Sequence, residues 1–558
     1  MTKRCFAGDR TDKNPRGPRD HRCLALGGRL DRAVSSIRIS VLWIFLSGTQ
    51  FVANGSAQDS AAVQHANRAQ QMAQRGDLVN AEAEMRRALD LSPNRPRYLS
   101  ALGSILGMQK KLEEANTYFE KSLKLDPGDL ATRRSLVANQ WQLGRLQEAR
   151  ENLQHLLKSN PADRQAMLLM GLISESLADY AQAIKWLKAV PDLVQKDPQS
   201  VLALARAYYQ IKQTRNARET LAWLRSKEAS SQDLFMGGKL AAESDDLETA
   251  EQFFSLIEST YPDQLGLGYN AALLRFRKGQ FAAAQQKLES LAASKKVNAD
   301  VFNLLGWCYY RQQQILKAGQ AFETAINLEP NKESNYLDMA QALSSEQRFR
   351  STALDVVGTA GQRFPKSSRV HEVKGDIQFK MHRYADAIES YQRSLQLDGS
   401  SSTANLGLAK AQWLAGQTRE AALTFERGIR DFPRDAAHYQ EYAIMLLKLE
   451  EESGKPPAGP PAVSLLQTAI QLDSSLSEAR YQLGNLALLK EDYEEALKHL
   501  EAAVRLDPRD SKIHFALARL YRRLKRSEEA AKETELFQKL LAEEEKRLGA
   551  PTSKKEAN

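Results

Sequence analysis

The amino-acid sequence predicts an all-helical chain built as an array of about fourteen repeated helix pairs, and three observations carry that reading. Leu, Ala, Glu, Gln, Lys and Arg dominate the 558 residues while aromatics make up only 7%, a balance that suits helices rather than sheets. One alanine recurs per unit, at Ala81, Ala115, Ala149, Ala183, Ala217, Ala250, Ala284, Ala318, Ala387, Ala421, Ala462, Ala496 and Ala530, with Thr352 filling the one gap. The steps are 34 residues apart from one 33, one 35 and one 41. At an alanine share of roughly a tenth, chance would place only about one or two alanines in such slots. Four residues after most of them stands a bulky side chain, among them Phe119, Leu153, Phe254, Phe322, Tyr391 and Phe425, and a proline follows twelve after at positions such as Pro127, Pro330 and Pro508. A small contact residue, a knob one turn later and a proline stop describe a helix that packs closely and then ends.

The first helix of each unit is marked by a second small residue twelve positions upstream, as at Gly103, Gly171, Ala205, Gly238, Gly306, Gly375 and Gly484. Small residues on facing helices let the two backbones approach. The turn between the helices carries Gly76, Gly144, Gly279 and Gly416, where a glycine can end a helix in the left-handed conformation.

The unit around Gly306 reads Phe302, Leu305, Gly306 and Tyr309, then Ala318, Phe322, Ala325 and Pro330. In that spacing it resembles the tetratricopeptide repeat, and the resemblance extends over residues 60–545. It departs at Thr352, in the unit after Gly171, which lacks its proline, and between Leu449 and Ala462. The resemblance implies a right-handed superhelical solenoid of about fourteen helix-turn-helix repeats whose first helices line a concave groove. Stability in such an array is shared between neighbours.

The ends and the one long step are read separately. Residues 1–57 hold ten Lys/Arg against four Asp/Glu, leaving 68 against 65 in the remainder. A basic stretch to Arg38, the apolar run Ile39–Leu46 and the small residues Gly55, Ser56 and Ala57 form the order of an export signal, with cleavage expected after Ala57. An uncleaved membrane anchor is the alternative, opposed by Ser47, Gly48, Thr49 and Gln50, which cut the apolar run short of the roughly 20 residues a span needs. The array is expected over 58–545, with a protruding polar insertion loop at 450–461 and a disordered tail at 546–558. Cys5 and Cys23 lie in the leader and only Cys308 in the body, so no disulfide is expected in the mature chain.

Catalytic chemistry is not expected, because the repeats occupy everything between the two ends. His371-Glu372 opens a zinc-protease motif, but Gly375 stands where the second histidine belongs. His371 and His514 are read as core residues. Gly266-Leu-Gly268 imitates a dinucleotide loop with no strand before it. Cys308 is read as a buried thiol. Neither cofactor nor metal is expected. Arg519, Arg522, Arg523, Lys525 and Arg526 are read as a solvated helix end, with contact to acidic lipid or polymer as the alternative.

The binding candidates follow from the resemblance, which points positions two, five, nine, twelve and thirteen of each unit into the groove. Unit one is bland there: Val63, Ala66, Gln70, Ala73 and Gln74. Units five to eight offer Arg206, Tyr209, Lys239, Phe276, Arg277, Asn303, Trp307, Tyr310 and Arg311, together with Phe235 and Tyr269, which could instead pack on neighbouring units. Aromatic anchors beside guanidinium groups have the composition of interaction hot spots, and Trp307, Tyr310 and Arg311 are expected to face solvent. The spaced Lys and Asn pairs of the family's carboxylate clamp are missing. The expected function is a non-catalytic scaffold of the cell envelope, periplasmic or secreted, that binds a protein or peptide. The alternative is a carbohydrate or envelope-polymer binder. With a nearly balanced charge in the body, nucleic acid is not an expected partner. Membrane contact is expected only through an uncleaved leader, and the oligomeric state is open.

Overall fold

The computed structural model describes residue 51 and residues 57–225, 229–294, 298–454 and 460–547. Among these residues are twenty-nine α-helices and no strand. Contacts divide the chain into two compact bodies that meet in sequence at Val297 and Asn298, with units one to seven in the first and units eight to fourteen in the second. Among the described residues no helix is long and apolar enough to cross a membrane.

The repeat works because one side chain occupies the space another residue lacks. A Cβ on Gly306, in the first helix of unit eight (Ala299–Arg311), would lie 2.8 Å from the ring of Phe322 in the second (Ile315–Leu328). The same pairing joins Gly171 to Leu187 at 2.6 Å, Gly238 to Phe254 at 2.7 Å, Gly375 to Tyr391 at 2.8 Å and Gly484 to Leu500 at 2.6 Å. The knob after each alanine therefore rests on the small residue of the partner helix. Phe322 and Phe119 are fully buried, each contributing about 1.5–3 kcal/mol by leaving water.

The turn between the helices is left-handed in units one to eight, ten, eleven, thirteen and fourteen. Glycine supplies it at Gly76, Gly144, Gly279 and Gly416, but Lys110, Ala178, Lys212, Asp245, Gln313, His382, Glu491 and Lys525 adopt it with φ between 58° and 67°. The packed pair therefore imposes the conformation even on residues with side chains.

Unit nine corrects the sequence reading. Its helices Glu333–Ser344 and Arg350–Arg363 are joined by five residues that include the 3-10 turn Gln347–Phe349, where unit eight uses three. The buried Arg350 guanidinium donates to the carbonyls of Ser344 and Lys380 and holds this turn. Thr352 is exposed, and the alanine slot is filled by Ala353, which is 0% exposed, with Val357 as the knob. All fourteen slots thus hold alanine.

Three other departures have local causes. In unit four, where the late proline is missing, Pro191 stops the second helix (Tyr180–Lys188) early and opens a short extra helix, Pro191–Lys196, seated by the buried Val190 and Val194. In unit twelve the first helix runs on through Glu452 and the second begins at Pro460. The expected insertion loop at 450–461 is corrected accordingly: Glu450–Glu452 is helical, while residues 455–459 lie outside the described residues. The last helix, Ser527–Arg547, extends into the expected tail, and residues 548–558 lie outside the described residues.

The expected leader lies outside the described residues except for Phe51 and the helix-opening Ala57. The Phe51 N–H donates to Asn67 Oδ1 at 3.0 Å, its carbonyl accepts from Asn67 Nδ2 at 3.3 Å, and its ring meets Tyr98 edge-on at 5.2 Å.

Candidate partner-binding surface

Most successive first helices within each body touch one another, and that contact bears on which groove positions stay open. In the first body, Arg206 on Pro198–Gln210 donates to Glu175 Oε1 on Arg164–Ser176 at 2.9 Å. Tyr209, 8% exposed, gives its hydroxyl proton to Asp246 Oδ2 at 2.9 Å, and Arg218 holds the same carboxylate through bonds of 2.8 and 2.7 Å. Burial alone would raise the Asp246 carboxyl, but its bonds from Arg218 and Tyr209 bring it below the usual range. Burial, reinforced by the anionic Asp246, pushes the Tyr209 phenol well up. Phe235 stacks on Tyr261 at 4.6 Å and Phe276 meets Phe281 edge-on at 5.2 Å. Arg277 donates to Asp245 Oδ1 at 3.0 Å and to the Ala242 carbonyl. Lys239 and Tyr269 are half-buried.

In the second body the expectation of solvent-facing anchors is corrected. Trp307 is 0% exposed, its ring edge-on to Tyr310 at 5.5 Å and to Phe322 at 5.7 Å. Its indole Nε1 has no hydrogen-bond acceptor among the described residues. Tyr310 is buried, and Asn303, also buried, donates to Asp338 Oδ2 at 2.9 Å and Asn335 Oδ1 at 3.2 Å on the next first helix, Glu333–Ser344. Position five thus meets that helix, and in unit eight the large side chains at positions nine and twelve are core. Arg311, at position thirteen, remains half-exposed. Beside Trp307, Cys308 is 0% exposed and burial pushes its thiol up to about 12.

Farther along the second body the same register positions stay more open. Leu414 is 40% exposed and Leu489 55% exposed, while Phe379, Trp413, Ile444 and Tyr481 are half-buried. They lie on four first helices, Ser368–Lys380, Ser402–Leu414, Ala436–Glu452 and Ser477–Leu489. Lys410 on the second of these meets Glu441 on the third at 3.2 Å. The sequence reading stopped at unit eight and missed these residues, although carrying the five positions through units ten to thirteen would have named them.

His514 and His438 sit in protein-internal contacts. His514 Nδ1 lies 2.6 Å from Glu533 Oε2 and His514 Nε2 lies 3.0 Å from the Pro508 carbonyl. His371 is half-buried. His438, which sequence reasoning passed over, is fully buried, with Nε2 3.2 Å from Asn405 Oδ1 and Nδ1 3.5 Å from Asp435 Oδ2. Among the described residues no three His, Cys, Asp or Glu side chains are grouped to hold a metal ion.

Tetratricopeptide repeat models match residues 96–129, 137–200, 269–334, 378–443 and 481–536, together about half of the chain. The chain belongs to the tetratricopeptide repeat family. This tetratricopeptide array is 22% identical to anaphase-promoting complex subunit 3 of Schizosaccharomyces pombe, over 44% of the chain and 36% of that protein. It is 26% identical to the TPR repeat-containing protein YpiA of Bacillus subtilis, over 51% of the chain and 66% of that protein. It is 22% identical to cellulose synthase 1 operon protein C of Komagataeibacter xylinus, over 60% of the chain and 26% of that protein. The array thus spans between about a quarter and two thirds of the length of these relatives.

Proposed function

We propose that this tetratricopeptide array is a non-catalytic scaffold of the cell envelope that binds a protein or peptide segment along the first helices of its second body. The observation that carries the reading is the run of open or half-open apolar groups Phe379, Trp413, Leu414, Ile444, Tyr481 and Leu489 on four consecutive first helices. Rigid aromatic and aliphatic area costs little ordering when a partner covers it. Among the residues expected from sequence, Arg206, Lys239, Arg277 and Arg311 keep open surface and serve as polar contacts within their own bodies. The leader's order of basic, apolar and small residues supports an exported, periplasmic or secreted location, with an uncleaved inner-membrane anchor as the alternative.

The relative encoded in a cellulose synthase operon supports an envelope setting, and it favours a second reading in which the open aromatic groups stack on an envelope polysaccharide. Affinity capture with the exported form, beside the Leu414→Asp/Leu489→Asp double variant, separates the two. Capture of a stoichiometric protein that drops at least about tenfold in the double variant, with unchanged melting, supports the scaffold. Retention on cellulose with no protein captured supports the second reading. Undiminished protein capture by the double variant removes this face as the site. Mass spectrometry of the mature N-terminus checks export: a protein that keeps its residues before Arg38 and fractionates with the cytosol overturns the envelope location.

A further inference from the structure

The first helix of unit fourteen, Ser511–Arg523, carries Lys512, Phe515, Arg519, Arg522 and Arg523 at spacings that share one face, and all five are exposed, Phe515 by 44%. These are register positions two, five, nine, twelve and thirteen. In unit eight, positions five, nine and twelve are Asn303, Trp307 and Tyr310, at 3%, 0% and 9% exposure, and Asn303 bonds to the next first helix. At unit fourteen no described helix takes that place.

The cations on this face lack the partners that interior cations find. Lys410, at position nine of unit eleven, meets Glu441 on the following first helix at 3.2 Å. Arg519, at position nine of unit fourteen, has among the described residues only the Phe515 ring, 5.9 Å from its guanidinium carbon. Lys512 and Arg523 have no ion pair among the described residues, and Arg522 reaches only the Thr534 hydroxyl at 2.8 Å. An apolar strip runs beside them: Phe515 meets Phe537 at 5.1 Å, and Leu541, one turn beyond Phe537, is 38% exposed. Residues 548–558 hold Lys554 and Lys555 against Glu556.

The geometry points to a docking face for an acidic amphipathic helix of a partner protein, which continues the stack as a further first helix. Its apolar side covers Phe515, Phe537 and Leu541, and its carboxylates pair with Arg519, Arg522 and Lys512 as Glu441 pairs with Lys410. A guanidinium takes a carboxylate through two parallel bonds, and opposite charge across the face sets orientation and speeds encounter. This face lies apart from the groove proposed above, and the inference does not depend on that groove.

The probe is a capped synthetic peptide with the sequence of Ala436–Glu452, the helix that already follows a position-nine cation and carries four glutamates and one lysine. Fluorescence anisotropy with the full chain is expected to show saturable binding that weakens at least about tenfold in Arg519→Glu/Arg522→Glu. Lys525→Glu, a charge reversal in the adjoining turn, is expected to leave it unchanged. A peptide with its four glutamates replaced by lysine is expected not to bind. Absence of peptide binding, or binding indifferent to Arg519→Glu/Arg522→Glu, overturns the inference. So does capture of phosphatidylglycerol vesicles with that same dependence while the peptide is ignored, which assigns the face to a membrane. Self-association in sedimentation that Arg519→Glu/Arg522→Glu abolishes reassigns it to a second copy and likewise overturns the inference.

Discussion

Units eight and fourteen carry large side chains at the same register positions and treat them oppositely. In unit eight Trp307 is closed off completely between Tyr310, Phe322 and the neighbouring layer. In unit fourteen Phe515 and Arg519 stand open. The difference is not in the helix that bears them but in whether another first helix lies over it. Register tells which way a side chain points; coverage tells whether it becomes core or surface.

The largest effect expected from this contrast is on stability. Trp307→Ala should destabilise the second body by about 3–5 kcal/mol, the cost of emptying a packed aromatic site. Phe515→Ala should change it by no more than about 0.5 kcal/mol. Cys308 provides an independent readout: with Cys5 and Cys23 replaced by Ser, a thiol reagent should modify the native chain slowly, because the sulfur is both covered and held protonated. Trp307→Ala should speed that reaction while Phe515→Ala leaves it alone. Equal melting and equal thiol reactivity in the two variants would break the comparison.

A somewhat smaller effect tests the pairing inside a unit. Gly306→Leu should cost roughly 1–3 kcal/mol through overpacking, since even a Cβ there comes within 2.8 Å of the Phe322 ring. Ala518→Leu, the same position in unit fourteen, should cost less, because the residue four after Ala530 is the half-buried Thr534 rather than an aromatic knob. Chemical denaturation of both variants measures the difference. A larger loss for Ala518→Leu would show that the open layer is packed as tightly as the covered one.

Most of the fold was legible because it is written in short-range spacing. The alanine, the small residue twelve before it and the knob four after it lie within one helix pair, and the structure seats them against one another. The site was less legible because coverage comes from the next unit: Trp307, Tyr310 and Asn303 have hot-spot composition, and nothing within unit eight tells that Asn335 and Asp338 lie across from them. Unit nine failed for a related reason. One extra residue between the small position Ala340 and the slot moves the slot from Thr352 to Ala353, and the signal for it, the cationic Arg350 that closes the 3-10 turn, acts through the carbonyls of Ser344 and Lys380.

Between the covered and open layers, Asp435 reports on polar coverage. The neighbouring His438 and the Ser402 hydroxyl outweigh burial and hold its carboxyl at about 2. A carboxyl depressed on folding stabilises the native state above its unfolded value of about 4, and that contribution is lost as pH falls from there to about 2. Asp435→Asn should therefore melt below the unaltered chain at pH 6 and approach it as the pH drops through that window. A constant gap down to pH 2 would mean the carboxylate charge contributes nothing to this junction.

The smallest expected effect concerns Lys332, in the link between units eight and nine. The structure puts its ammonium against Asp300, at the start of the preceding first helix, and 3.3 Å from Glu329. Burial works against the charged form, but Asp300 and Glu329 prevail and hold the group above its ordinary value. A raised lysine contributes its stability at all pH values below the unfolded value and loses it only as pH climbs through the folded one, so the contribution is complete at neutral pH. With about a third of the side chain open, solvent screens the pair, and Lys332→Ala should cost only roughly 0.5–1 kcal/mol. That cost should shrink in about 1 M salt, where screening acts over about 3 Å, whereas the cost of Gly306→Leu should not, because overpacking is blind to ionic strength. Denaturation of both variants at low and high salt decides the point. A salt-sensitive loss at Lys332 shows that charge pairing helps tie successive first helices together, and no loss at either salt shows that the pair contributes nothing to the stack.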